Sequence, residues 1–475
     1  MDLTGLPNRT ASLAPAAGRH IRQAFGVLTA VAVALAGIGP AASPAAAQQR
    51  SGGMSVIRDT EIENLLRDYA TPILRAAGLA QQNVRVVVLN DRAFNAFVMD
   101  GRHIFINAGA LFDAKTPNEI IGVFAHETGH LAGGHLLKLR EQLARAQTAS
   151  IIALLLGAGA AVAGGSNAGA AAIMAPQSAI QRSLLAYVRT QEDAADHAGV
   201  KFLNASHQSA RGMIELFKRL SNEALFNSRY VDPYLQTHPM PQERVAALEA
   251  VARQSPYFAV KDPPALQARH DMMRAKLSGF LDRPDTVARR YPMSDRSVPA
   301  RYARAIAAYR HADLRNALAQ IDGLIQAQPG NAYFQELKGQ ALLEAGRGAE
   351  AVAPLRRAVQ LSNNAPLIQV MLAQALIGSN NTASAEEAVR LLNSALAREP
   401  TIPEAYDQLA MAYGRKGDLG RADLAAAQAA LNRGDLRTAR QIAARAKGRL
   451  PVGSPPWVRA NDITNDKPQS RNARN

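Results

Sequence analysis

The chain has 475 residues, 48% of them hydrophobic and 5% aromatic, with a formal net charge of +15 and no cysteine. That length suits two or three domains, and the composition excludes a collagen-like or wholly disordered chain. The basic residues are interspersed with acidic ones and show no aromatic–basic clustering, which argues against nucleic acid as a partner and suits a basic protein near anionic membrane surfaces.

In chain order, Arg19, His20 and Arg22 precede the apolar run "FGVLTAVAVALAGIG". Ala45-Ala46-Ala47 then fit a small-residue cleavage site before Gln48. The core is too short for a comfortable membrane span, so residues 1–47 are predicted to be a signal peptide and the periplasm the destination. An exported chain without cysteine must rely on core burial and metal instead of disulfides, and thiolate chemistry is excluded.

Residues 55–79 carry apolar positions at helical spacing. "VRVVVLN" (84–90) reads as a strand, and Asp100-Gly101 between apolar runs predicts a hairpin over 95–111. Its second arm, "RHIFIN", is read as a sheet edge. In "TPNEIIGVFAHETGHLAGGHLLKL", Thr116 suits the N-cap, Pro117 the first helical position and Glu119 the third residue of a capping box. The histidines that follow are therefore expected on a helix. The segment 150–176 is apolar and rich in small residues. It reads either as a helical hairpin or flap in peripheral contact with a membrane, or as a packed pair of core helices. A helix is expected over 183–203, then a loop with three prolines over 231–248 before another helix.

From about 299 the pattern becomes helical and repetitive. Ala312, Gly346 and Gly417 stand 34 and 71 residues apart, and Pro329 and Pro400 are also 71 apart. This period resembles the tetratricopeptide repeat, and about four repeats fit, enough to stack a continuous core and present a face to protein partners. The expected organisation is a signal peptide (1–47), a metallopeptidase domain (55–255), a helical linker (256–298), a repeat domain (299–455) and a disordered tail (460–475). The expected fold class is α+β, a mostly helical catalytic domain with a small sheet followed by an all-α solenoid.

His126 and His130 are four residues apart, so a helix turns both imidazoles to one side. Neutral imidazole is a good zinc ligand, and Glu127 stands where it can act as a base on water at such a site. In a chain with only 10 histidines this His-Glu-x-x-His spacing arises by chance about once in a hundred chains. A catalytic zinc needs a third protein ligand. Glu192 in "QEDAADHAG" is the best candidate. Asp196, one turn later on the same face, is placed to accept a proton from a ligand histidine. His197 and His135 are rivals, although His135 is five residues from His130, rotated off its face, and reads as structural. His103, His207, His270 and His311 are given no site role.

"HETGHLAGGH", "EDAADHAG" and "THPMPQER", in that order, resemble the HExxH, ExxxD and histidine-proline-arginine series of the HtpX-like and CAAX-prenyl-protease gluzincins. With a signal peptide and C-terminal repeats, the resemblance narrows to the periplasmic β-barrel assembly-enhancing branch, over roughly residues 55–460. It implies one zinc per chain on His126, His130 and Glu192, Glu127 as base, and His238 and Arg244 as catalytic residues lining the site, where zinc and His238 or Arg244 are expected to hold the oxyanion. It implies an endopeptidase acting on misfolded or stalled outer-membrane proteins, with the outer-membrane assembly machinery as partner. Thr128-Gly129, where bulkier residues are common in the family, is given little weight. Two roles are open for His238 besides that of an ordinary loop histidine: stabilising the oxyanion, or filling the fourth zinc position at rest. Substrate is expected to add as a strand along "RHIFIN". The competing function is a periplasmic chaperone or scaffold with a structural or idle zinc site. Glu127 argues against it, because a structural site needs no base.

Overall fold

The computed structural model describes residues 55–164, 166–226, 233–311, 313–378 and 382–465. The expected signal peptide lies outside the described residues. So do Ala312 among the turn positions and residues 466–475 of the expected tail.

The chain divides into two compact units that do not follow the expected boundaries. One comprises 73–110 and 118–260, the other 56–72, 111–117 and everything from Lys261. The architecture is α+β as expected, helical around one small sheet. The elements of the peptidase region are β1 (Val56–Ile57), α1 (Thr60–Ala76), β2 (Arg85–Leu89), β3 (Ala96–Val98), β4 (His103–Asn107), α2 (Ala108–Asp113), α3 (Pro117–Gly133), α4 (His135–Gly164), α5 (Ser166–Ala205), α6 (Arg211–Phe226), α7 (Pro233–Thr237) and α8 (Gln242–Ala252).

In the first unit β3 and β4 form the expected hairpin, antiparallel with Ala96 opposite Ile106 and Val98 opposite Ile104. Asp100 closes its turn by accepting from the backbone N–H of Arg102 and of His103, each at 2.8 Å. Ile104 and Ile106 are buried while His103 and Phe105 are half-buried, the alternation of a pleated strand against a core. The expectation for "RHIFIN" fails in one respect. β4 is not an edge, because β2 pairs with it in parallel, Arg85 opposite His103, so β4 lies between β2 and β3. Both sides of its backbone are already bonded, and a substrate strand cannot add there.

α4 and α5 pack along each other, so the described residues of 150–176 belong to two paired helices. Among the described residues no helix is long and apolar enough to cross a membrane. The expected loop over 231–248 is mostly helical. Pro233 opens α7 and Pro241 caps α8, leaving only 238–241 between them. Both prolines sit where the missing N–H is tolerated, which is why they did not break the structure.

The second unit continues with α9 (Pro264–Leu281) and α10 (Pro284–Arg290), then the helical pairs α11 (Val298–Arg310) and α12 (Leu314–Ala327), α13 (Ala332–Glu344) and α14 (Gly348–Leu361), α15 (Pro366–Gly378) and α16 (Thr382–Arg398), α17 (Pro403–Arg415) and α18 (Leu419–Asn432), and α19 (Leu436–Lys447) and α20 (Pro455–Asn465). The first helices of successive pairs start 34 residues apart at Val298, Ala332 and Pro366. Gly346 and Gly417, singled out by their spacing, both have φ of +75°, the left-handed turn glycine adopts without strain. Asp313, Asp418 and Asp435 each cap the following helix through a side-chain oxygen. The pairs stack through small residues such as Ala351, Ala358, Ala373, Ala388 and Ala405.

Two expectations change here. Residues 256–298 are helical but are not a spacer, since Ala275 and Val287 share a core cluster with Ala303 and Ala307. Residues 460–465 belong to α20, where Ala460 and Ile463 are buried, so this part of the expected tail is folded.

Candidate active site

The site is built on α3, and glycine decides how closely its neighbours approach. A Cβ on Gly129 would lie 2.7 Å from the carbonyl oxygen of Ala195 on α5, and one on Gly199 would meet the backbone of Ala125 and His126 at 3.3 Å. A Cβ on Gly122 would lie 2.5 Å from Cβ of Met213 on α6. Backbone contact of this kind brings the α5 carboxylates within reach of the α3 imidazoles. Thr128-Gly129 therefore carries more weight than its departure from family habit suggested: Gly129 permits the helix pair. At the start of α3, Asn118 accepts from the N–H of Gly212 and donates to the carbonyl of Ser209, both at 2.8 Å. Glu119, expected in a capping box, binds both terminal nitrogens of Arg219 at 3.1 and 2.7 Å and fixes α3 to α6.

Four donors converge. His126 Nε2 is 3.1 Å from His130 Nε2, 3.3 Å from His238 Nδ1 and 3.4 Å from Glu192 Oε2. His130 Nε2 is 3.4 Å from Glu192 Oε1, and His238 Nδ1 is 2.9 Å from Glu192 Oε2. All four residues are buried. Two ligands at about 2.0–2.1 Å from one tetrahedral zinc lie roughly 3.3–3.4 Å apart. The spacing and chemistry of this set thus fit one such ion, and a single metal can be held by all four.

The surrounding residues orient the donors. Asp196 Oδ1 takes the proton-bearing Nδ1 of His126 at 2.9 Å. Arg244 donates to Asp196 from Nε at 2.7 Å and from Nη2 at 2.9 Å, and to the carbonyl of Pro239 from Nη1 at 2.7 Å. The same Nη1 is 3.1 Å from Glu192. One guanidinium thereby locks the acidic pair of α5 to the loop that carries His238. His238 follows α7 directly: its N–H bonds the carbonyl of Tyr234 at 2.7 Å, and the two rings lie 4.7 Å apart.

Burial disfavours charge on His126, yet its hydrogen bonds to Asp196 and Glu192 outweigh that and raise its pKa to about 9. Burial would likewise raise Glu192, but the charge of His238 and hydrogen bonds from His126 and His238 hold it well below the usual carboxylate range. Burial pushes Glu127 up, with the nearby histidines opposing it. Glu127 is fully buried, and neither carboxylate oxygen has a hydrogen-bond partner; His238 Nε2 lies 3.6 Å from its Oε1. A buried carboxylate without partners is costly unless it is used.

The structure brings together His126, Glu127, His130, Glu192, Asp196, His238 and Arg244. It excludes His197, which is exposed and bonds the carbonyl of Asp193. His270 is a satisfied core histidine between Tyr69 and the carbonyl of Ala114. His135 is the residue that sequence reasoning misplaced: its Nδ1 lies 2.9 Å from Nδ1 of His130. The signal was the Gly133-Gly134 pair, which interrupts the helix between them.

Residues 57–252 match peptidase family M48, and residues 342–406 match a tetratricopeptide repeat. The chain carries a family M48 peptidase domain. It is similar to the β-barrel assembly-enhancing protease of Yersinia pestis, 23% identical over 415 residues that cover 86% of this chain and 83% of the relative. The Escherichia coli K12 protein of the same name is 24% identical over 413 residues, 84% and 78% of the two chains. A putative β-barrel assembly-enhancing protease of Vibrio cholerae is 30% identical over 201 residues, 42% and 41%. With its M48 domain the chain is a metalloprotease, its metal is zinc, and the buried cluster is where one ion fits. Its repeats belong to a class of module that generally binds other proteins.

Proposed function

We propose that this M48 chain is a zinc endopeptidase of the cell envelope that cleaves misfolded or stalled outer-membrane proteins, with partners recruited through the repeats. His126, His130 and Glu192 hold the zinc, and His238 is a fourth donor in the resting enzyme. When bound, zinc supplies a Lewis acid that polarises a carbonyl and makes water acidic near neutral pH. Glu127 is the general base: its carboxylate takes the proton of the attacking water and passes it to the leaving amine. The His238 side chain turns away from the metal site to admit substrate, while Arg244 keeps its hold on the loop at Pro239. Asp196 keeps the Nδ1 proton on His126, and Arg244, with its guanidinium engaged by Asp196, Glu192 and Pro239, positions that machinery without touching substrate. The relatives' name, β-barrel assembly-enhancing protease, supports a protease tied to β-barrel assembly; the envelope, the outer-membrane substrates and the assembly machinery as partner extend that reading. Leu137, Ile151, Ile152 and Leu185 are exposed apolar residues on α4 and α5, and they support peripheral membrane contact near 150–176.

The observation that carries the proteolytic reading is Glu127, buried beside four convergent donors with neither oxygen hydrogen-bonded. A scaffold with an idle metal would have no use for it. The test is casein cleavage by purified wild type and Glu127→Gln, with zinc content measured on both. The variant is expected to keep zinc and fold and to lose about 10²–10⁴-fold in rate. Near-normal cleavage by the variant discards this mechanism, and a zinc-loaded wild type that never cleaves favours the scaffold.

A further inference from the structure

His130 uses Nε2 toward the donor cluster, 3.1 Å from His126 Nε2 and 3.4 Å from Glu192 Oε1. A ligating Nε2 spends its lone pair on the metal, so the proton of a neutral imidazole must sit on Nδ1. Nδ1 of His130 faces Nδ1 of His135 at 2.9 Å, with the two rings 5.0 Å apart at 83°. We propose that His135 is the positioning residue for His130, accepting the His130 Nδ1–H at its own Nδ1 and so fixing the tautomer and ring angle of that ligand. The inference rests on His130 being a zinc ligand.

The chain is built to deliver His135 there. On an unbroken helix a residue five positions on would be turned about 140° away and could not meet His130. α3 stops at Gly133, Gly134 takes a φ of +61°, and α4 restarts at His135. That left-handed step returns the ring to His130. Gly133 makes room for it: a Cβ there would sit 2.2 Å from Nε2 and 2.5 Å from Cδ2 of His135. Two consecutive glycines thus serve one contact, the first by its bare face and the second by its backbone.

The choice of acceptor follows from local charge. His126 is oriented by a carboxylate, Asp196. The cluster already buries Glu127, Glu192 and Asp196. A further carboxylate against His130 would add another negative charge in the same low-dielectric space, which a neutral imidazole avoids. The two ligand histidines are therefore held by different chemistry, one by an anion and one by a neutral ring.

The test is zinc affinity of the full chain by chelator competition, with the visible spectrum of the cobalt-loaded protein as a reading of ligand geometry. Asparagine places its Oδ1 where histidine has Nδ1, so His135→Asn keeps the acceptor and should bind zinc within a few-fold of wild type. His135→Leu keeps buried bulk without an acceptor and should bind about 10–100-fold more weakly, the range for loss of a residue that orients a ligand. Gly133→Ala leaves His135 intact but displaces its ring, and should weaken zinc in the same direction and alter the cobalt spectrum. Should His135→Leu not fold, Gly133→Ala alone decides. Wild-type affinity in His135→Leu, or in Gly133→Ala, overturns the inference. A His130→Ala protein that binds zinc as tightly as wild type overturns the ligand assignment on which it stands.

Discussion

In the second unit three acidic side chains gather around a lysine, whereas in the first unit three imidazoles and a carboxylate turn their lone pairs on one another. Lys276 Nζ lies 2.6 Å from Asp59, 3.2 Å from Glu61 and 3.8 Å from Glu336, and 5.5 Å from the centre of the Tyr333 ring. Tyr302 completes the group by donating to Glu61 at 3.0 Å. The acids raise Lys276 well above its ordinary pKa although burial works against its charge. This cluster contains its own cation and is chemically closed. In the peptidase unit the guanidinium of Arg244 is engaged by Asp196, Glu192 and Pro239. Lys276 lies among its acids, whereas Arg244 reaches the carboxylate of the metal cluster and the imidazole nitrogens of His126, His130 and His238 face one another.

That contrast breaks most readily at Lys276. Lys276→Met would strand three acidic groups without their cation, and removing one partner from a buried ion group is worth about 3–5 kcal/mol. The variant is expected to lose that much in urea unfolding followed by circular dichroism, with the loss felt in the second unit. A midpoint unchanged from wild type would mean that the carboxylates simply take up protons and that the cluster is not held by its lysine.

How much of this was visible in the sequence depends on the range of the interactions involved. The face shared by His126 and His130, the helix beginning at Pro117, the hairpin at Asp100 and the 34-residue period are local patterns, and they appear where residue spacing put them. Glu192 and Asp196 could be paired with the histidines because one helical turn separates them. Some failures are local, as at 231–248, where Pro233 and Pro241 stand at helix starts; others are long-range or depend on one backbone torsion. β4 looked like an edge because its parallel partner β2 is upstream of the hairpin. His135 looked misdirected because a regular helix was carried through Gly133-Gly134. Asp59 and Glu61 answer to Lys276, more than two hundred residues later, and no linear pattern marks that pairing. Gly129 looked incidental because the backbone it approaches, at Ala195, belongs to another helix.

The comparison sharpens at His238, which gives the metal cluster its fourth donor. If that donor restrains the resting enzyme, His238→Ala should keep its zinc and raise basal casein cleavage by about tenfold or more, the factor gained when a competent state held below a tenth of the population is released. If His238 instead stabilises the oxyanion, the same change should lower kcat by about 10²–10³. Cleavage by the purified variant separates the two directions, and an unchanged rate removes His238 from both roles.

A titration tests whether the lysine cluster is closed at every pH. Glu336 is buried, and its Oε2 has no hydrogen-bond partner. Burial pushes its carboxyl up to about 8; the lysine charge opposes this and the neighbouring Asp59 and Glu61 reinforce it. A carboxyl whose folded pKa is raised favours the folded state when protonated. Its contribution is fully present below the ordinary carboxylate pKa and is lost as pH rises towards about 8. Glu336→Gln keeps the shape and cannot ionise, so it should match wild type near pH 4 and gain on it as pH rises through that window. The advantage should grow by at most about 1.4 kcal/mol per pH unit. Urea midpoints measured from mildly acidic to mildly alkaline pH provide the check. Curves for the two proteins that run parallel would show that Glu336 is ionised throughout and shares Lys276 with the other two acids.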